Sequence, residues 1–456
     1  MPAAGKEYGM GAVNLSKAVK DGSAATKLSL IIMGLGNILH GQIIKGLLFL
    51  AVEVTYILFM INTGISSIAM LPSLGDAEQK EIYNETLGVY EYVQGDNSLI
   101  ILLYGVAALF ITAGFIIIWR GTVKSAYAAE LNKRAGKHNN NIIEDIKGLF
   151  DKNLHRLLLT PPVMGILILN ILPLIFMICM AFTNYSKIDN KLILFDWVGL
   201  KNFAKVLGFK NSIGKTFWSV LGWTIIWAIF ATVLNYILGM ILAIVINRRS
   251  TRGKKIYRSA FMISMAVPQF VSLLVMRSML SDNGPVNVLL KETLGIIDSP
   301  LPFFTDATWA RVTVIIINLW VGIPYTMMQV TGILKNIPEE LYEAAKVDGA
   351  SPVKIFFKIT LPYMLFVTTP YLITTFTSNI NNFNVIFLLS GGNPVPVGET
   401  AGKTDLLVTW LYKLTIDQQY YNYGAVIGIL TFVVLAVISL VTYRNTGSYK
   451  NEEGFQ

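Results

Sequence analysis

The chain has 456 residues, of which 54% are hydrophobic and only 14% are charged, and its formal net charge is +9. Soluble domains carry about 25% charged residues, so this composition, with its repeated apolar runs, indicates a protein whose solvent is a lipid bilayer. No zinc-finger or RNA-binding motif accompanies the positive charge, and nucleic acid is therefore not an expected partner. The single cysteine, Cys179, excludes a disulfide framework within the chain.

Long apolar runs predict the membrane spans. A helix needs about 20 residues to cross a bilayer. By this rule the chain is an all-α integral membrane protein with about eight transmembrane helices, near residues 43–67, 98–119, 157–182, 218–246, 256–281, 310–334, 361–383 and 424–443. Residues 1–27 are expected to form a cytoplasmic tail, and residues 28–42, which are apolar but short, an interfacial or re-entrant segment.

Loop charges predict the orientation of these spans. Residues 120–156 hold eight basic side chains against four acidic ones, residues 247–255 hold five basic ones and no acid, and residues 68–97 hold one base against six acids. Because basic loops stay in the cytoplasm, both termini and the loop at 335–360 are placed on the cytoplasmic side of the membrane. The loop at 183–217, with six lysines, is the exception to this pattern.

The stretch 336–362, here called the 336–362 loop, predicts two short helices joined by a sharp bend outside the bilayer. Asn336 is expected to cap the first helix, with Pro338 just inside its start. Gly349 suits the bend, because glycine takes the left-handed conformation that ends many helices. Ser351 and the proline after it repeat the capping pattern for the second helix.

Motifs for catalysis or metal binding are not evident. Residues 208–216 resemble a phosphate-binding loop, but five residues separate the two glycines where four are required. The three histidines lack metal-ligand spacing, and no serine–histidine or paired-carboxylate arrangement is present. No catalytic residue, metal site or bound cofactor is therefore predicted in this chain.

Polar side chains recur in the seventh apolar run. Four of them are spaced i, i+3, i+4 and i+7, so they are predicted to share one face of a helix. They are Thr375, Ser378, Asn379 and Asn382. Amides and hydroxyls beside aromatic rings suit a sugar, whose hydroxyl groups they can bind. The alternative is that they hydrogen-bond a neighbouring helix, at roughly 1 kcal/mol each.

The 336–362 loop also carries a motif: Glu-Ala-Ala, three residues, glycine, nine residues, then Ile-x-Leu-Pro. This motif resembles the signature loop of the membrane subunits of ATP-binding-cassette (ABC) importers. The matching positions are Glu343, Ala344, Ala345, Gly349, Ile359, Leu361 and Pro362, and Asp348 is typical of the carbohydrate-importing branch. In that family the loop is the coupling helix that docks on a cytoplasmic ATPase, so the resemblance implies an ATPase-coupling role for these eight residues.

Residues 379–383 and 388–394 resemble the maltose-type permease subunits within that branch, as do residues 320–325 of the sixth span. The resemblance implies a sugar site in the membrane. Its substrate-binding residues would be Asn379, Asn382, Tyr325, Gly322, Thr375, Ser378 and Val321. Pro324 is expected to interrupt its helix and to free carbonyl groups towards a cavity. Asp405, in a further similar segment, is expected to cap a helix or to contact an extracytoplasmic binding protein.

The resemblance implies the permease subunit of an ABC importer, a multi-pass protein of a prokaryotic plasma membrane that moves a sugar inward, such as a maltodextrin or a galactoside. ATP and Mg would be bound by a dimeric cytoplasmic ATPase, so this chain itself needs no cofactor and is not expected to be an enzyme. The other expected partners are a second homologous permease in a heterodimer, an extracytoplasmic sugar-binding protein and membrane lipid.

The expected organisation is a tail with an interfacial segment at 1–42, a two-span addition with its linker at 43–156, the permease core at 157–445, and a tail at 446–456. Three alternatives stay open. An ion-driven secondary transporter would need ionisable residues within its spans, where Glu53 is the only well-embedded acid. A membrane scaffold would use the polar face only to join helices, and an ABC permease could instead serve a non-sugar solute.

Overall fold

The computed structural model describes residues 13–84, 88–248 and 250–444. In this part of the chain seven helices are long and apolar enough to cross a membrane, and one bent pair of helices is an eighth candidate. The prediction of an all-α membrane protein with about eight spans is thus confirmed. The chain forms two compact units, the first from Met1–Tyr185 and Asp189–Val198, the second from Ser186–Ile188 and Gly199–Gln456. The functional domain boundaries drawn from the sequence stay a prediction.

The first unit contains short helices, long spans and one hairpin. Its helices are α1 Leu15–Asp21, α2 Ala24–Leu28, α3 Leu35–Leu39, α4 Ile43–Met70, α5 Ser98–Arg134, α6 Ile142–Phe150 and α7 Leu154–Ala181. Between α4 and α5, strands β1 Lys80–Asn84 and β2 Val89–Val93 pair in antiparallel register. One π-helical turn lies within α4 and another within α7, at Met60–Gly64 and Leu167–Ile171.

Two features of this unit differ from the sequence-based expectation. The second span was predicted to end near 119, but α5 continues to Arg134, because the basic segment after 119 contains good helix formers and no proline. The helix ends just before Gly136, whose φ of 66° is left-handed. The hairpin was not anticipated. Its register places Tyr83 opposite Tyr90 with their ring centroids 5.1 Å apart, a cross-strand aromatic pair that stabilises short hairpins.

A buried carboxylate holds the N-terminal helices against α5. Glu130 is only 2% exposed, accepts hydrogen bonds from the backbone N–H of Ser23 and the hydroxyl of Thr26, and pairs with Arg134. Since Ser23 is the N-cap of α2, the positive end of that helix dipole also faces this carboxylate. Helices α2 and α3 have five residues each and cannot cross a bilayer, and the interfacial position of residues 28–42 stays a prediction.

The second unit is a helical bundle. Its helices are α8 Lys201–Leu207, α9 Ser212–Asn247, α10 Lys254–Ala266, α11 Gln269–Met279, α12 Pro285–Val288, α13 Ala307–Leu334, α14 Glu339–Val347, α15 Pro352–Ile380, α16 Phe383–Leu389, α17 Leu407–Tyr412 and α18 Tyr421–Arg444. Further π-helical turns lie at Leu289–Thr293, Phe356–Thr360 and Lys413–Asp417.

Helix α9 is the centre of this bundle and packs on both α13 and α15. Near one end, Trp227 of α9 is fully buried with Val314 of α13 and Ile380 of α15. Near the other end, Met240 and Met327 pack in a second apolar cluster of the same three helices. Burial of apolar surface at both ends fixes the three helices relative to one another and leaves their polar middle section between the clusters.

The predicted span at 256–281 is broken. Helices α10 and α11 meet at Val267 and Pro268 with an angle of 87° between them. Proline has no N–H for the helical ladder and disfavours the helical conformation of the residue before it, and Val267 is accordingly extended, with φ −77° and ψ 125°. The prediction of one continuous helix here is wrong, because it considered apolar length alone.

Candidate functional site

A polar cavity of about 450 Å³ lies in the second unit, where α9, the α10–α11 break, α13 and α15 converge. All seven residues that the sequence singled out for substrate binding line this cavity. They are Asn379, Asn382, Tyr325, Gly322, Thr375, Ser378 and Val321. The structure thus brings together side chains that are up to about 60 positions apart in sequence, and it does so without any residue of the 336–362 loop.

The α15 wall differs in one respect from the prediction. Thr375, Ser378 and Asn379 lie on one face of the helix, but α15 ends at Ile380. Asn382 is instead the N-cap of α16, where its side-chain oxygen accepts a hydrogen bond from the backbone N–H of Val385 at 3.3 Å. The helix prediction failed there because an asparagine can satisfy the free N–H groups of a new helix. The side chain still reaches the cavity from this cap.

Asn379 both lines the cavity and joins two helices. Its Nδ2 donates to Oγ1 of Thr232 on α9 at 3.0 Å, and its backbone oxygen accepts from the indole of Trp227 at 3.1 Å. Its side-chain oxygen accepts a longer bond of 3.4 Å from Asn382. A primary amide has two donor hydrogens and two acceptor lone pairs, so one of each remains for a ligand.

The α13 wall depends on a glycine. A Cβ on Gly322 would lie 2.6 Å from the side-chain oxygen of Asn235 on α9, so any side chain here would force that amide to move. Pro324 was expected to interrupt the helix, and this is wrong, since α13 is continuous through it. Proline nevertheless leaves the carbonyl four residues earlier without its helical donor, and that residue, Trp320, lines the cavity.

Four further asparagines line the cavity and were missed as site residues in the sequence: Asn235, Asn318, Asn381 and Asn384. Two of them are buried. Asn235 and Asn318 are 8% and 6% exposed. In the described part of the chain, the side-chain oxygen of Asn235 and the side-chain nitrogen of Asn318 have no hydrogen-bond partner. A buried amide without a partner is costly, so an acceptor on α9 and a donor on α13 lack, within the described residues, the hydrogen bond that such groups normally make. The signal was available for these two, because each is a lone amide within a long apolar run.

The chemical character of the cavity is polar but uncharged. Its described lining contains amides, hydroxyls and the aromatic rings of Trp320, Tyr325, Tyr371 and Phe383, and includes no Asp, Glu, Lys, Arg or His. Such a surface can exchange hydrogen bonds in both directions and can stack on apolar faces. It cannot neutralise an ionic ligand or relay a proton through a carboxylate or an imidazole.

The 336–362 loop forms the predicted first helix and the bend. The second helix is not short as predicted, because it continues from Pro352 without a break into the α15 span. Gly349 has a φ of 70° at the bend, and no neighbouring atom lies within 4 Å of a Cβ built on it. Ser351 caps the second helix as predicted, accepting from the backbone N–H of Lys354 at 3.3 Å. The expected cap at Asn336 is wrong: Pro338 occupies the N-cap position of α14, and no side chain caps that end.

The residues of the coupling motif lie on both sides of this bend. Glu343, Ala344 and Ala345 belong to α14, Asp348 and Gly349 form the bend, and Ile359, Leu361 and Pro362 lie at the entry to the α15 span. The hydroxyls of Tyr342 and Thr360 are 3.1 Å apart and tie the two arms together. Val347 next to the bend is 87% exposed and Phe357 is 58% exposed, so the loop presents uncovered apolar side chains.

Asp405 does not face solvent. Its side chain is fully buried, pairs with Lys413 at 2.7 Å, and accepts hydrogen bonds from the backbone N–H of Gly402 and the hydroxyl of Thr409. The expected capping role is consistent with this network. The expected contact with an extracytoplasmic protein is wrong, because no surface of this carboxylate is left for a partner.

A bundle of apolar helices around an uncharged polar cavity, with an exposed helical bend between two of the spans, is the architecture of a membrane transport protein. Residues 235–446 match the family described as the binding-protein-dependent transport system inner membrane component. Together with similarity over nearly the whole length to curated relatives, this shows that the chain belongs to that family, the permeases of ABC importers.

The relatives extend over most of the chain. It is 36% identical over 434 residues to the maltodextrin transport system permease protein MdxF of Bacillus subtilis (strain 168), covering 93% of this chain and 95% of that protein. It is 35% identical over 427 residues to the galactooligosaccharides transport system permease protein GanP of the same organism, covering 92% and 97%. A bacterial ABC transporter involved in the import of the acidic polysaccharide alginate has a similar fold, with a TM-score of 0.52 at 24% identity over 66% of this chain and 97% of that one.

Proposed function

We propose that this permease moves a neutral oligosaccharide inward through the cavity between α9, α13 and α15. The observation that carries the proposal is the lining, which combines amides, hydroxyls and aromatic rings without an ionised side chain in its described residues. A neutral sugar presents many hydroxyl groups that both donate and accept hydrogen bonds, together with apolar ring faces. The relatives MdxF and GanP, permeases of maltodextrin and galactooligosaccharide transport systems, support the same substrate class.

The proposed contacts follow from the geometry of the cavity. Asn379 and Asn382 bind hydroxyl groups from the α15 side, and Asn235 and Asn318 bind them with their unpaired atoms from the opposite wall. Thr375 and Ser378 offer hydroxyls, while Tyr325, Gly322 and Val321 shape the α13 wall. An acidic polysaccharide would find no cation among these residues, which favours a neutral cargo.

We further propose that ATP, with Mg, acts on the permease through partner ATPase subunits that dock on the 336–362 loop. The exposed Val347 and Phe357 support a docking surface, and the left-handed Gly349 fixes the angle between its arms. This loop connects α13 directly to α15, so a push on it moves two walls of the cavity. The proposal includes a cytoplasmic loop and termini, a second homologous permease in a heterodimer, and an extracytoplasmic binding protein that delivers the sugar.

The mechanism is alternating access driven from the loop. ATP-bound and ATP-free states must bind the sugar with different affinities, since a ligand shifts an equilibrium only by its differential affinity. The unpaired side-chain atoms of Asn235 and Asn318 can produce this difference in affinity. Asn235 lies on α9 and Asn318 on α13, so rotation of α13 against α9 changes the distance between the two side chains. Both side chains then bind one sugar in only one of the two states.

Uptake by the complete transporter in proteoliposomes tests the proposal. The panel consists of radiolabelled maltotriose, a galactooligosaccharide, an alginate oligosaccharide and an amino acid, each with ATP or a non-hydrolysable analogue inside. The proposal expects uptake of a neutral oligosaccharide that requires ATP hydrolysis and survives a protonophore. Uptake that follows a proton gradient without ATP, or that selects the acidic sugar, contradicts it.

Gly322→Ala is expected to impair the cavity. The new Cβ would press on the Asn235 amide and turn it away, so the KM for sugar uptake should rise about tenfold, with a stability loss of about 1–3 kcal/mol from overpacking. Gly332→Ala is the matched control, because it lies on the same helix and a Cβ there meets no atom within 4 Å. The control should be neutral or slightly stabilising. Equal KM values for the two variants would refute the assigned contact.

A further inference from the structure

A second cavity lies in the first unit and is not used by the proposed transport mechanism. It has a volume of about 740 Å³ and is bordered by α4, α5, α6 and the start of α7, and we call it the basic hollow. Its floor is apolar, with Phe49, Ile118 and Ile146 among the lining residues. Its polar border carries the cations Lys45, Lys124 and Arg156, so an apolar pocket and a positive border occur together. Lys45 and Arg156 lie in the first turns of α4 and α7, and Lys124 follows the apolar run of α5, so lipid headgroups are expected near all three.

The charge of the basic hollow is not cancelled by its acids. Asp145 is the carboxylate among the described lining residues, and it pairs with Lys45 at 2.8 Å. Lys124 is exposed on α5 and makes no ion pair with any residue in the described part of the chain. With Lys45 paired to Asp145, Lys124 leaves a positive charge beside the apolar floor.

Helix α6 gives the basic hollow the form of an interfacial site. Ile143 and Phe150 of this helix are 60% and 67% exposed, although the helix joins two membrane spans and is itself too short to cross. A short amphipathic helix with uncovered apolar side chains and flanking lysines lies in the plane of the interface, its apolar side among acyl chains. One wall of the hollow is therefore set at the depth of the lipid headgroups.

We propose that the basic hollow binds one anionic phospholipid. Lys124 and Arg156 contact the phosphate, and an acyl chain follows the apolar floor past Phe49 and Ile118. Gly121 provides the opening: a Cβ built on it meets no atom within 4 Å, and the residue lines the hollow. The lipid would tie the ends of α4, α5 and α7 together through a site outside the sugar cavity.

Native mass spectrometry of the full chain in detergent tests this proposal, with palmitoyl-oleoyl phosphatidylglycerol and the matched zwitterionic phosphatidylcholine as probes. The wild-type chain should bind phosphatidylglycerol at least tenfold more tightly than phosphatidylcholine. Lys124→Gln and Arg156→Gln should each weaken phosphatidylglycerol binding about fivefold, the factor that corresponds to about 1 kcal/mol for one cation at an anionic lipid. Lys124→Arg should restore binding.

Two controls separate the site from general attraction to lipid. Lys147→Gln removes the same charge from α6 at a position outside the hollow and should leave binding unchanged. Gly121→Leu should fill the hollow and block binding, whereas Gly114→Leu, on the same helix and equally open, should not. Each variant's melting temperature in detergent shows that it is folded.

Three results would overturn the proposal. The first is equal affinity for the two lipids. The second is an equal loss of binding in Lys147→Gln and Lys124→Gln, which would indicate attraction to the surface in general. The third is displacement of the lipid by millimolar inorganic phosphate, which would assign the cations to a free anion, because phosphate cannot occupy the apolar floor. None of these results depends on sugar uptake, so the proposal stands or falls separately from the transport function.

Discussion

Replacing Gly349 with valine is expected to reduce ATP-driven uptake at least tenfold while sugar binding stays intact. Gly349 has a φ of 70°, a conformation that costs a residue with a side chain about 1–2 kcal/mol and a β-branched residue more. No atom lies near its missing side chain, so the effect comes from the backbone and not from a clash. The bend would open and α14 would leave the angle at which a partner ATPase docks.

Uptake by the reconstituted transporter and equilibrium sugar binding measure the two parts of this prediction. Gly295→Val is the matched control, since Gly295 has a similar φ of 59° and equally open surroundings outside the 336–362 loop. Gly349→Asn should retain much of the uptake, because asparagine tolerates the left-handed region. Normal uptake by Gly349→Val, or an equal loss in both valine variants, would contradict a coupling role for the bend.

Asn379→Leu is expected to abolish uptake or to change which sugar is taken up. Leucine has a similar volume but cannot donate to Thr232 or to a sugar, so the variant loses an interhelical hydrogen bond as well as a ligand contact. Each loss is of the order of 1 kcal/mol for a neutral bond, and more where a buried partner is left unpaired. Uptake kinetics over a panel of neutral oligosaccharides, with Asn382→Leu as a second variant, check this expectation.

Thr232→Val separates the two roles of Asn379. Thr232 accepts the 3.0 Å hydrogen bond from Asn379 but is absent from the lining of the cavity, and valine keeps its shape. If Asn379 binds sugar, Thr232→Val should lower the melting temperature by a few degrees and leave sugar preference unchanged. If Thr232→Val reproduces the transport defect of Asn379→Leu, the polar face serves to join helices, and the assignment of the sugar site is wrong.

The spans could be predicted because a helix that crosses a bilayer needs about 20 consecutive apolar residues, and such apolar runs are visible in a single sequence. The same rule could not find the break at Val267 and Pro268, since the residues on both sides are apolar enough to belong to one span. The length of this apolar run was thus predictable, but the change in helix direction within it was not. The bend in the 336–362 loop was predictable because glycine adopts a positive φ more readily than other residues, as Gly349 does here.

The cavity was predictable where the sequence carries a recognisable pattern, which is the polar face of α15 and, through the family resemblance, Val321, Gly322 and Tyr325 of α13. Thr375, Ser378 and Asn379 repeat along one helix, whereas Asn235 and Asn318 are single amides whose proximity arises from the packing of α9 on α13. Asp405 shows the converse limit. Its position outside the predicted spans suggested a contact with a partner, but the side chain is buried and is held by Lys413 and by the backbone N–H of Gly402. These contacts form only in the folded loop and could not be predicted from the sequence.

The uncharged lining of the cavity also determines how the transporter responds to the membrane potential. Moving one elementary charge across 100 mV involves about 2.3 kcal/mol of electrical work. Neither the described wall of the cavity nor a neutral cargo carries such a charge, so reorientation of the loaded site does no work against the field. Under the proposed ATP-driven import of a neutral sugar, depolarising the membrane at a constant phosphorylation potential of ATP should therefore leave the driving force for import unchanged.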